Sequence, residues 1–135
     1  MREKSFSHLL RSKGYKATPA RLAMLEIFAR QEEPVNAEFI VGQLKKTNEA
    51  TVYRTLEAFE RVGLIKKLDL RKGSAYYEFP RHHHHHIVCV HCGEVEDFDF
   101  CVLEKACAAA VLVSKKFARI KDHSFELFGV CNKCA

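Results

Sequence analysis

Apolar residues in the first sixty positions recur at three- and four-residue intervals, and turn-forming residues close each run. Phe6, Leu9 and Leu10 predict a helix over 4–13, ended by Gly14. Thr18-Pro19 opens a second helix, with Thr18 as N-cap and Pro19 at its first position; Leu22, Leu25, Ile27 and Phe28 supply its buried side. Pro34 and Asn36 mark a turn, and Asn36 can cap a third helix with Phe39, Ile40, Val41 and Leu44 inward. After Thr47-Asn48 a fourth helix is expected over about 49–61, because Val52, Leu56 and Phe59 fall at i, i+4, i+7. Past Gly63 the pattern shortens to two strands, 64–70 and 74–79, around Arg71-Lys72-Gly73. Helices followed by a hairpin predict a winged helix-turn-helix, with the fourth helix as recognition helix and the hairpin as wing.

The second part reads differently. Strands are expected at 87–90 and 94–98, joined at the knuckle Cys92-Gly93, and a last strand at about 125–130. Between them, residues 101–113 predict a helix that is apolar on nearly every side. Such a helix must be covered on more than one face. One face is expected on the small sheet and the other against a second subunit. The fold class is therefore α+β, with a winged-helix domain over 1–80 and a small α/β domain over 81–135.

Charge sharpens the division. Residues 1–81 carry 16 Lys+Arg against 10 Asp+Glu, and residues 82–135 carry 6 against 7. A basic first part favours a polyanion partner, although most surface lysines only solvate a face. The outer face of the fourth helix holds Thr51, Tyr53, Arg54 and, at its margin, Thr55. Arg suits bidentate bonds to guanine, and Tyr and Thr suit phosphates or thymine methyls; an ordinary solvated face is the competing reading. No apolar run approaches the ~18–20 residues of a membrane span, so no membrane partner is expected. The opening Met1-Arg2-Glu3-Lys4-Ser5 leads into an amphipathic stretch and not the apolar core of a signal peptide. A reducing, cytoplasmic setting is expected.

Candidate chemistry concentrates in the second part. Cys89-Val90-His91-Cys92 and Cys131-Asn132-Lys133-Cys134 are two C-x-x-C pairs, the spacing at which four thiolates close a tetrahedral zinc site. Disulfides are disfavoured in a reducing compartment. His82 to His86 form a run of five histidines. Five internal residues that continue into Ile87-Val88 do not resemble an affinity tag. In an extended segment His82, His84 and His86 point one way and His83 and His85 the other, so one run can feed two metal sites. Glu78, Glu94, Glu96, Asp97, Asp99, Glu104 and His123 are plausible further ligands. Imidazole and carboxylate donors suit zinc, iron(II) and manganese alike. Cys101 and Cys107 read as small buried hydrophobes. An enzyme is not expected: there is no H-E-x-x-H, no deaminase H-x-E, and a Cys₄ site is closed to substrate. A metal-storage or chaperone protein would account for the ligands but not for the basic helical half.

The chain resembles the ferric uptake regulator (Fur) family of metal-dependent repressors over nearly its whole length. The resemblance rests on Gly14-Tyr15-Lys16-Ala17-Thr18-Pro19-Ala20-Arg21, Ala50-Thr51-Val52-Tyr53-Arg54-Thr55-Leu56, Gly63-Leu64, and Tyr77-Glu78 with the histidine run. It continues through the two cysteine pairs, Gly93, His123-Ser124 and Gly129-Val130. It implies a winged-helix domain and an α/β dimerisation domain. It also implies a repressor that binds double-stranded operator DNA as a homodimer when its regulatory site holds zinc or iron(II). By the same resemblance Cys89, Cys92, Cys131 and Cys134 hold structural zinc, and Glu78, His84, His86 and Asp97 form the regulatory site. A second metal site takes His83, His85, Glu104 and His123, and Lys16 and Arg21 join Thr51, Tyr53 and Arg54 in contacting DNA. Two departures stand out. The loop before the third helix, Gln31-Glu32-Glu33-Pro34-Val35-Asn36, lacks a histidine that the family often supplies, so either Glu33 substitutes or the site has fewer protein ligands. His85 resembles the zinc-sensing branch, whereas Glu78 stands where some zinc sensors carry cysteine. The balance leans to zinc over iron(II), and peroxide sensing within the same family is a further alternative.

Overall fold

A computed structural model describes residues 2–135. Helix α1 spans Arg2–Ser12 and α2 spans Pro19–Arg30. The Thr18 hydroxyl accepts the Arg21 N–H at 3.4 Å, which satisfies one orphan donor of the first turn of α2. Strand β1, Val35–Asn36, leads straight into α3, Ala37–Gln43, where the Asn36 side chain accepts the Phe39 N–H at 2.9 Å. Helix α4 spans Glu49–Arg61 and is capped by Asn48. Gly63 follows at φ 78°, a left-handed turn that any side chain would strain.

Leu10, Met24, Leu25, Phe28, Ile40, Val52, Leu56 and Phe59 form one buried cluster. Each such side chain contributes about 1.5–3 kcal/mol by leaving water. Three inward assignments shift. Met24 takes the fully buried place on α2 while Leu22 and Ile27 lie half-buried, and Phe39 is exposed on α3 while Ile40 is enclosed. The hairpin is β2, Lys66–Leu68, and β3, Tyr76–Glu78, and β1 adds to it in the order β1-β3-β2. That third strand is too short for periodicity to reveal.

These elements make up one compact unit, Met1–Pro80; Arg81–Ala135 make up another. The second unit holds β4, His85–Cys89, β5, Val95–Phe98, α5, Leu103–Val113, and β6, Glu126–Gly129. Strand β4 is central, antiparallel to β5 and parallel to β6. Its register sets His86 opposite Asp97 and Cys89 opposite Gly129. Among the described residues of this unit, the buried hydrophobics are Val88 and Cys89. That is too little apolar burial for about 55 residues to fold unaided, since domains of this size commonly need metals, disulfides or oligomerisation. No residue of α5 is buried, and Leu112 and Val113 are more than four-fifths exposed. Leu103, Cys107 and Val111 form one half-buried face of this helix, and its other residues are exposed. No helix among the described residues is long and apolar enough to cross a membrane.

Candidate metal centres

The parallel pairing of β4 with β6 brings the two C-x-x-C pairs together. Cys89 ends β4, and Cys131 lies two residues past its register partner Gly129. A tight turn, with Gly93 N–H on the Cys89 carbonyl at 2.9 Å, returns Cys92 toward Cys89. The sulfurs of Cys89, Cys92, Cys131 and Cys134 all lie within 4.8 Å of one another, and Cys92 and Cys131 are 3.7 Å apart. A tetrahedron with Zn–S bonds of about 2.3 Å has S···S edges of about 3.8 Å, so the cage fits zinc. Backbone N–H groups of Cys92 and then Cys131 hold the Cys89 thiol down to about 5. Cys134 is pushed up to about 12, first by its bond to the Cys131 sulfur and then by burial. Four adjacent sulfurs cannot all ionise unaided; a bound dication removes that obstacle.

The histidine run splits as alternation demands. His83 and His85 project to one side, where His123 arrives from the segment before β6. There the His83 and His123 Nε2 atoms are 3.2 Å apart, and Cys101 Sγ lies 3.3 Å from Nε2 of both His85 and His123. The four donors are mutually within 4.8 Å. Glu104, expected here, is exposed in the first turn of α5 and outside the group. The physical reason is where the helix starts. The sequence suggested a helix from 101, but α5 begins at Leu103, which leaves Cys101 in the preceding non-helical segment beside the histidines. Cys107 Sγ lies 3.7 Å from His123 Nδ1, so neither cysteine is a mere core filler. The need of three histidines for a fourth donor was a legible signal; which of two residues three apart supplied it was not.

On the other side, the His84 and His86 rings lie 4.9 Å apart. His84 Nδ1–H donates to the His82 carbonyl at 2.8 Å, which turns the lone pair of a neutral ring onto Nε2. Asp97 sits across the ladder, with Oδ1 3.5 Å from His86 Nε2 and its other oxygen bonded to Arg81. Glu78 closes β3 in the first unit, and Glu33 is exposed in the loop before β1.

On α4, Tyr53 and Arg54 are exposed, and Arg54 Nη2 donates to Thr51 Oγ1 at 3.3 Å. Thr55 is not on that face: it is buried, and its hydroxyl donates to the Thr51 carbonyl at 2.7 Å. Lys16 is exposed. Arg21 is half-buried, donates to the Lys16 carbonyl at 2.9 Å and stacks 5.0 Å over Tyr15, so it braces the turn before α2.

A model of the ferric uptake regulator family matches residues 12–128. The chain belongs to this family. The ferric uptake regulation protein of Neisseria gonorrhoeae is 34% identical over 131 residues, covering 93% of this chain and 90% of the relative. The Fur structure from Helicobacter pylori, described as having three functional metal binding sites, is 27% identical with a TM-score of 0.79, covering 98% of this chain and 93% of that one. The iron-containing regulator from Francisella tularensis is 30% identical with a TM-score of 0.73, covering 90% and 95%. As a Fur-family member, this chain is a metal-responsive transcriptional regulator with a winged-helix, α+β fold and zinc-compatible cysteine cluster.

Proposed function

We propose that this regulator binds double-stranded operator DNA as a homodimer, through Thr51, Tyr53, Arg54 and Lys16, when Glu78, His84, His86 and Asp97 hold zinc or iron(II). On this reading the Met1–Pro80 unit is the DNA-binding domain and the Arg81–Ala135 unit the metal-binding dimerisation domain, working in the cytoplasm as a repressor without catalytic activity. The observation that carries it is the pairing of His84 with His86, tautomer set by the His82 carbonyl, opposite Asp97. Two imidazoles and two carboxylates, with no thiolate, are a set that accepts iron(II) as well as zinc. The feature that favoured zinc, His85, faces the other cluster and has no bearing on this one. The relatives named as ferric regulators lie on the iron side.

When bound, the ion would supply a dication for these side chains to hold. Glu78 comes from the end of the wing, and His84, His86 and Asp97 come from the second unit. Metal loading favours whichever state binds the ion best and so shifts the population toward it. Such coupling is reciprocal and typically about 1–3 kcal/mol. The exposed apolar surface of α5 supports the dimer, since patches of this kind mark association sites. A metal-storage role leaves the basic helical half of the chain, with the exposed Tyr53 and Arg54 on α4, without a purpose.

The deciding experiment is a DNA-binding titration with iron(II) and zinc on the parent and on His84→Ala/His86→Ala. The double variant is expected to stay a folded, zinc-containing dimer and to lose metal-stimulated binding. A variant that responds to metal like its parent refutes the assignment.

A further inference from the structure

We infer that the second site of this chain is a His₃Cys centre for zinc, built from His83, His85, His123 and Cys101, with Cys107 as a positioning residue. It differs from the carboxylate-containing set that the family resemblance suggested, and it does not depend on the DNA-binding reading above.

A tetrahedral ion with M–N of about 2.05 Å and M–S of about 2.3 Å has N···N edges of about 3.3 Å and N···S edges of about 3.6 Å. The cluster has one N···N edge of 3.2 Å and two N···S edges of 3.3 Å. It is therefore already close to the size of a zinc cage. The donors come from three segments: β4 with its preceding residues, the segment before α5, and the segment before β6. Phe98 and Phe125 pack on His85, with ring centroids 5.7 and 4.1 Å away, and fix its plane.

The surroundings are those of a ligand set. His123 Nδ1 faces Cys107 Sγ at 3.7 Å, so an Nδ1–H tautomer directs the Nε2 lone pair toward the other donors. The Leu103 N–H donates to Cys101 Sγ at 3.4 Å from the first residue of α5, an outer-shell bond of the sort that supports a coordinating sulfur. On binding, the Cys101 S–H proton is released to solvent and the thiolate becomes the fourth donor. A thiolate discriminates against iron(II) and manganese in favour of zinc. The two sides of one histidine run then sort metals: zinc goes to the side with sulfur, and the thiolate-free side is left for the regulatory ion.

The test uses full-length protein whose Cys₄ zinc is retained and quantified throughout. Cobalt(II) is added and sulfur-to-cobalt charge-transfer absorption is recorded. The parent should develop this band with one equivalent of cobalt, Cys101→Ser should lose it, and Glu104→Gln should keep it. Cys107→Ala should keep the band but weaken cobalt affinity by about 10–100-fold, the usual effect of removing an outer-shell partner. Should Cys101→Ser not fold, alkylation of the parent, mapped by mass spectrometry, gives a separate answer: a second equivalent of zinc should protect Cys101. A band that persists in Cys101→Ser, a band lost in Glu104→Gln, or alkylation of Cys101 indifferent to zinc would each overturn the assignment. None of these readouts involves DNA, so a failure here leaves the regulatory site untouched.

Discussion

Cys131 is tied to the cysteine cage twice, by its sulfur and by its N–H, which donates to Cys89 Sγ at 3.4 Å. Cys131→Ser removes one of the four thiolates while leaving the backbone N–H on Cys89 Sγ in place. Because structural zinc binding and folding are one equilibrium, the variant should lose bound zinc and melt earlier. Metal analysis and a thermal melt check this, and unchanged values would exclude the Cys₄ site. Arg54 is a second residue-scale case. Its guanidinium is exposed and steadied by Thr51, so it can reach a base edge. Arg54→Ala should cost about 1–3 kcal/mol of operator affinity and relax sequence preference. A uniform loss on all sequences in a binding assay would make it a phosphate contact. Thr55 shows where residue-level reading stops: one position along a helix is 100° of rotation, enough to bury a hydroxyl at the margin of a face.

Helix α4 is the element that sequence periodicity described best, because its apolar stripe, Asn48 cap and Gly63 stop all agree. Leu56 is at 1% exposure in the middle of that stripe. Leu56→Ala should destabilise the first unit by about 2–5 kcal/mol, as for other buried leucines, and denaturant unfolding will read it. Helix α5 is the opposite case. Its residues are helical as expected, yet among the described residues only Leu103, Cys107 and Val111 are even half-covered and the rest of the helix is exposed. Leu112→Asp should therefore leave secondary structure intact and shift sedimentation from dimer to monomer. A dimer that persists would place the interface elsewhere. The two-residue start that distinguishes 101 from 103 is also an element-scale matter: helix ends are set by local caps, and Val102 makes no side-chain cap bond.

For the whole molecule, the two units rest on different foundations. The first has a continuous apolar core; the second has few buried hydrophobics and many ligands. Removing zinc should therefore strip amide-exchange protection from β4, β5 and β6 while α2 and α4 stay protected. Equal loss of protection in both units would show that the first cannot stand without the second.

The sequence by itself determined the helical first part, the two cysteine pairs, the alternating histidine faces and the family resemblance. These follow from short-range rules: helical period, cap chemistry, strand alternation and ligand spacing all act within a few residues. Tertiary structure decided what depends on segments far apart in the chain. It added β1 to the wing, turned Thr55 inward and left all but one face of α5 exposed. It also put Cys101 beside His123, 22 residues away, in the place expected for Glu104. No local period encodes that last choice, because it depends on where β6 delivers His123 and where α5 begins.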